Sequence, residues 1–128
     1  MEKNKNKKVL LIDDDLFLLD MYSLKFKESG FDLEIAQNGE EALAKLENKE
    51  YLPRVILLDL LMPSMDGVSF LKIIKEKNIA EGVKVIALSN LSQKDEIERV
   101  IGLGAADFIV KAHHTPSEVV EKVKRLLE

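Results

Sequence analysis

Val55-Ile56-Leu57-Leu58-Asp59-Leu60-Leu61-Met62-Pro63-Ser64-Met65-Asp66-Gly67 is the stretch from which the rest of the chain is best read. Four apolar residues without polar alternation, closed by an acid and a Pro- and Gly-bearing turn, predict a short strand buried on both faces. The same grammar recurs on either side. Val9-Leu10-Leu11-Ile12 ends in Asp13-Asp14-Asp15, Val83-Lys84-Val85-Ile86-Ala87-Leu88 ends in Ser89, and Phe108-Ile109-Val110 ends in Lys111. Leu33-Glu34-Ile35-Ala36 is a shorter alternating segment that leads to Gln37 and Asn38. Amphipathic stretches lie between these runs. Asn38-Gly39-Glu40-Glu41 and Thr115-Pro116-Ser117-Glu118 each set a capping residue three positions before Glu, and Pro116 suits a first helical position. Ser92-Gln93-Lys94-Asp95 is a weaker version of the same start. Gly30, Asn78, and Gly102 or Gly104 are the expected stops of the first, third and fourth helices. Strand and helix alternating five times predict an α/β fold: a mostly parallel sheet, helices on both faces, right-handed crossovers.

The composition narrows the function. A chain of 128 residues suits one domain, expected over 8–128, with 1–7 as a basic, solvated tail. With no cysteine, a disulfide framework, a thiolate metal site and a cysteine nucleophile are all excluded. Nineteen Lys and Arg against 23 Asp and Glu give a net charge of −4, which disfavours broad binding to nucleic acid. No apolar stretch approaches the ~20 residues that span a bilayer. The N-terminal Lys and Asn residues lead into too short an apolar run for a signal peptide. The expectation is a soluble, cytoplasmic protein, monomeric or weakly dimeric, touching neither membrane nor nucleic acid directly.

In an open parallel sheet, functional groups gather beyond the carboxyl ends of the strands, where the strand order reverses. If the first and third strands are neighbours, Asp13, Asp14 and Asp59 converge at one edge. Crowded carboxylates stay ionised only with a cation among them; otherwise one pKa rises. All-oxygen ligands favour a hard ion, and few protein ligands with several waters suit Mg²⁺. Lys111 adds a compact positive charge and Ser89 a hydroxyl. Together these groups suit a transferring phosphoryl group, with Asp as acceptor.

At these residues the chain resembles the receiver domain of bacterial two-component response regulators. The matching pieces are Val9 to Asp15, Leu57 to Gly67, Ala87-Leu88-Ser89-Asn90 and Gly104 to Lys111, in the expected order and covering nearly the whole chain. The resemblance implies a flavodoxin-like (βα)5 fold with strand order 2-1-3-4-5. It implies that Asp59 accepts the phosphoryl group, that Asp14 binds Mg²⁺ directly, that Asp13 acts largely through bound water, and that the Leu61 backbone carbonyl is a further ligand. It gives Ser89 and Lys111 contacts to the phosphoryl group and makes Phe108 a switching aromatic. The implied donor is a histidine kinase or histidine phosphotransfer protein. The implied output is a protein partner met by the fourth helix, last strand and last helix, with no enzyme activity beyond self-phosphotransfer and slow self-dephosphorylation. No DNA-binding module is expected, the chain being read as a stand-alone receiver.

Plainer roles are expected for other residues. Asp15 is a helix cap, Asp66 a turn or helix-start residue, and His113 and His114 solvated loop residues. Leu16, Phe17, Leu18, Leu19, Met21, Tyr22, Leu24 and Phe26 are too many for one apolar stripe. That helix is either deeply packed or shows apolar surface to a docking partner. One departure stands out: relatives usually carry a cis proline after the conserved lysine, and here Ala112 follows Lys111. The resemblance implies that the side chains of Leu61 and Leu91, each two residues beyond a site residue, border the path of an attacking water, and two Leu there are expected to slow phosphate loss. Rival readings are a receiver-like protein-binding scaffold that is never phosphorylated, a phosphohydrolase and a flavin carrier. The hydrolase needs a second Asp where Leu61 stands. The flavin carrier needs a phosphate-cradling loop where Asp13-Asp14-Asp15 would repel phosphate.

Overall fold

The computed structural model describes residues 6–90 and 93–127. Five strands and five helices alternate: β1 (Lys8–Ile12), α1 (Leu16–Glu28), β2 (Asp32–Ala36), α2 (Gly39–Glu47), β3 (Val55–Leu58), α3 (Gly67–Glu76), β4 (Lys84–Ser89), α4 (Lys94–Gly102), β5 (Asp107–Val110) and α5 (Pro116–Leu127). A 3-10 turn, Lys111–His113, joins β5 to α5. All strand pairs are parallel, in the order β2-β1-β3-β4-β5, so the order implied by the resemblance holds. No helix among the described residues is long and apolar enough to cross a membrane.

The continuous apolar runs are explained by two cores, one on each face of the sheet. Leu10, Ile12, Ile56 and Leu58 point to one face, where Phe70, Leu71 and Val100 cover them. Val9, Leu11, Val55 and Leu57 point to the other, against Leu19, Tyr22, Phe26, Val119 and Val123. A strand with a core on either side has no solvent-facing position and therefore no polar alternation. β2, at the sheet edge, keeps exposed positions and does alternate.

Several helix boundaries sit where their chemistry puts them. Asp15 caps α1 by accepting from the Phe17 and Leu18 amides, Asn38 caps α2 through the Glu41 amide, and Asp66 caps α3 through the Ser69 amide. Thr115 and Glu118 form a reciprocal box, the Thr115 amide donating to Glu118 at 2.8 Å and the Glu118 amide to Thr115 at 3.2 Å. Asn78 (φ 55°) and Gly104 (φ 108°) turn left-handed after α3 and α4, so Gly104 and not Gly102 stops α4. The start of α4 departs from expectation. Its cap is Gln93, without a side-chain hydrogen bond, while Ser92 lies outside the described residues, as do Leu91 and residues 1–5 of the expected tail. Of the α1 residues, Leu19, Tyr22 and Phe26 are buried, whereas Leu16, Phe17 and Leu24 are 59%, 71% and 58% exposed. The excess apolar density thus faces solvent.

The far end of α5 is tied to the amino-terminal ends of the central strands. Arg54 Nη2 donates to the Leu127 carbonyl at 2.5 Å and Lys84 Nζ to the Leu126 carbonyl at 2.8 Å. These basic side chains satisfy carbonyls that a helix end leaves without partners.

Gly67 opens α3 directly under the end of β3. A Cβ there would lie 2.8 Å from the Asp59 carbonyl oxygen and 2.8 Å from Leu60 Cα. Neither can retreat without moving β3. Gly67→Ala is expected to cost about 1–3 kcal/mol, the usual penalty for overpacking, and urea denaturation checks it. A wild-type midpoint would show that this loop yields freely.

Candidate functional site

Register brings the acids together. Ile12 pairs with Leu58, so Asp13 and Asp59 leave adjacent strands at the same level. Their backbones stay in the ladder, the Asp13 amide donating to the Ala36 carbonyl at 3.1 Å and the Asp59 amide to the Ile12 carbonyl at 3.0 Å. Ser89 ends β4 opposite Val110, which places Lys111 just beyond the same edge.

The side chains converge across long sequence separations. Lys111 Nζ lies 2.6 Å from Asp13 Oδ2 and 3.6 Å from Asp59 Oδ2. Asp13 Oδ1 accepts the Asp15 amide at 3.0 Å, and Asp59 Oδ1 accepts the Leu61 amide at 3.2 Å. Asp13, Asp59 and Ser89 are buried, while Asp14 and Leu61 are exposed at the rim. Asp13, Asp14 and Asp59 each offer one oxygen, and these lie within 4.8 Å of one another.

The electrostatics follow from this crowding. Burial pushes the Asp59 carboxyl from its ordinary 3.8 up to about 6. The Lys111 ammonium pulls it back, Asp13 raises it, the Leu61 amide lowers it and Asp14 raises it. Three carboxylates face one ammonium, so their combined charge is only partly balanced. An all-oxygen donor set with surplus negative charge fits a hard divalent cation such as Mg²⁺. The oxygens of Asp13 contact Lys111 and the Asp15 amide, and those of Asp59 contact Lys111 and the Leu61 amide, so a cation here would share its ligands with the ammonium and the backbone.

The structure therefore joins Asp13, Asp14, Asp59 and Lys111, and sets Ser89 at the same end of the sheet. Phe108 is half-buried on β5, packed against the core beneath α4. His113 is exposed, but His114 is half-buried with Nδ1 3.1 Å from the Val110 carbonyl, a contact that its loop position did not announce. The Lys111–Ala112 bond is trans. A groove of about 610 Å³ runs along α5 past Glu118, Glu121 and Arg125, and includes none of the acidic site.

Residues 9–124 match the family described as the response regulator receiver domain. The chain is 38% identical over 122 residues to the transcriptional regulatory protein CpxR homolog of Haemophilus influenzae, covering 94% of this chain and 50% of that protein. It spans about half the length of the curated relatives it matches. Among solved structures it is similar to the receiver domain of the Francisella response regulator 1452, at a TM-score of 0.85 and 33% identity, covering 95% of this chain and 97% of that one. It is also similar to the Borrelia burgdorferi CheX-CheY-BeF3-Mg+2 complex, at a TM-score of 0.84 and 30% identity, covering 94% and 89% of the two chains. With this sheet order and this acidic edge, the chain belongs to the response regulator receiver domains of two-component signalling.

Proposed function

We propose that the protein is a phosphorylation-controlled switch in which Asp59 accepts a phosphoryl group from a phosphohistidine of a kinase or phosphotransfer protein, in the cytoplasm. An Asp59 carboxylate oxygen forms the new P–O bond as the P–N bond breaks; the imidazole leaves with the electron pair and takes up a proton. Asp14, Asp59 and the Leu61 carbonyl would hold Mg²⁺, with Asp13 acting through water. The ion would neutralise phosphoryl oxygens as charge develops. Lys111 and Ser89 bind those oxygens once the phosphoryl group is in place. Exchange of the Lys111–Asp13 contact for a phosphoryl contact, with Phe108 repacking, changes the α4-β5-α5 surface that a protein partner reads.

The observation that carries this reading is the single ammonium shared between two buried carboxylates beside a third, a charge set ready for a cation and an anion together. Intact mass after exposure to acetyl phosphate tests it. The expected result is one phosphoryl adduct that requires Mg²⁺ and is absent from Asp59→Ala. Wild type that stays unmodified and binds no Mg²⁺ supports the protein-binding scaffold instead.

The rim adds a kinetic expectation. Leu61 is exposed beside Asp59 and can exclude water but not orient it. Leu61→Asn or Leu61→Glu is expected to shorten the phosphate lifetime several-fold, within the roughly 10²-fold that positioning one water contributes. Decay of the phosphorylated mass over time measures it, and unchanged lifetimes would remove Leu61 from the water path.

A further inference from the structure

Lys111 reaches the acidic site from a turn with little stiffness of its own. Ala112 has no ring to fix its φ, and both Ala112 and His113 are exposed. One residue closes the turn at two points. The His114 amide donates to the Lys111 carbonyl at 3.3 Å, and the His114 ring Nδ1 lies 3.1 Å from the Val110 carbonyl. A carbonyl only accepts, so Nδ1 carries the proton in that contact. The two carbonyls belong to the peptide planes on either side of the Lys111 Cα. Bonding both planes fixes the φ and ψ of Lys111 and so the direction in which its side chain departs.

His114 is itself held. The reciprocal Thr115–Glu118 bonds begin at the next residue and close the first turn of α5, while Val110 is paired to Ser89 in the sheet. His114 thus spans a rigid strand and a rigid helix, with the lysine turn between them.

We propose that His114 is a positioning residue for Lys111, its Nδ1–H···O=C bond to Val110 setting the turn from which the ammonium reaches Asp13 and Asp59. The assignment rests on reading the acidic edge as the phosphoryl-acceptor site. His114 acts through geometry and not charge, because imidazole with Nδ1 protonated and imidazolium both present the same donor.

The test compares His114→Ala, His114→Asn and His114→Gln. The Asn amide nitrogen sits at the same number of bonds from Cα as His Nδ1, and the Gln nitrogen one bond farther. Two quantities are read: the initial rate of Asp59 phosphorylation by acetyl phosphate at saturating Mg²⁺, and the solvent-exchange protection of the Lys111 Nζ protons by NMR. His114→Ala and His114→Gln are expected to slow uptake roughly two- to tenfold, the worth of one hydrogen bond, and to lose Nζ protection. His114→Asn is expected to stay within about twofold of wild type and keep that protection. Wild-type behaviour of all three, or an Asn variant as impaired as the Gln variant, overturns the proposal. Should the Ala variant fail to fold, the contrast between Asn and Gln, two side chains of like polarity, decides. Should wild type take up no phosphate, the acceptor reading falls, and the pattern of Nζ protection alone decides the role of His114.

Discussion

Replacing Asp59 with Asn is expected to abolish phosphoryl uptake and, without divalent cation, to make the fold more stable. The two effects share a cause. Asp59 is buried beside Asp13 with Asp14 at the rim, and its carboxyl is pushed up to about 6 from 3.8, chiefly by desolvation. The folded chain therefore holds that proton more tightly than the unfolded chain does. As pH rises from about 4 to about 6, the unfolded form ionises first and the native state loses stability, fully so above 6. Asp59→Asn lacks this loss. Each pKa unit is worth roughly 1.4 kcal/mol, and discounting for the carboxyl's partial access to water leaves a gain of about 1–2 kcal/mol at pH 7. The two stability curves should converge below pH 4. Saturating Mg²⁺ should stabilise wild type more than the variant, because it favours the ionised carboxylate that the variant lacks. Thermal unfolding from pH 3.5 to 8, with and without Mg²⁺, reads all three trends. A variant less stable than wild type at neutral pH without Mg²⁺ would show that packing, not charge, dominates at this position.

Lys111→Met removes the ammonium that Asp13 and Asp59 share. Asp13 is 1% exposed and loses a partner at 2.6 Å, while Asp59 loses its main favourable charge. Stripping one member from a buried ion pair commonly costs ~3–5 kcal/mol. The site limits the damage, since one carboxyl can take up a proton instead of remaining as an unpaired ion. The expected cost is therefore about 2–4 kcal/mol at pH 8, shrinking markedly at pH 5 and again when Mg²⁺ supplies the missing positive charge. Urea denaturation at the two pH values checks it. An equal cost at both would show that Lys111 stabilises through the packing of its aliphatic stem.

Much of this was legible in the sequence because the signals are local. Apolar runs closed by functional residues mark the strands, and Asn38, Asp66 and the Thr115–Glu118 pair mark helix starts through bonds spanning three residues. The acidic site is legible for a different reason. Lys111 and Asp13 stand 98 positions apart, and no periodicity joins them; the resemblance supplied the strand order that makes them neighbours. Local pattern also could not say which way the surplus apolar side chains of α1 face, because density alone does not distinguish deep packing from exposure. Likewise, the His114 contact depends on a 3-10 turn that brings residue 114 back over residue 110. Two adjacent histidines read alike until that turn makes one of them structural.

The clamp on the last helix has a mechanical consequence. α5 is a rod of 12 residues, ~18 Å at 1.5 Å per residue, whose foot is gripped by Arg54 and Lys84. Its head follows directly on the turn that carries Lys111. Val119, Val120 and Val123 seat its shaft on the sheet, so any pull on the lysine is taken up first in the short turn ahead of Pro116 and last at Leu127. A partner that spans the turn and the head of the helix would meet that strain, whereas one resting on the clamped foot would meet the stiffest part of the rod.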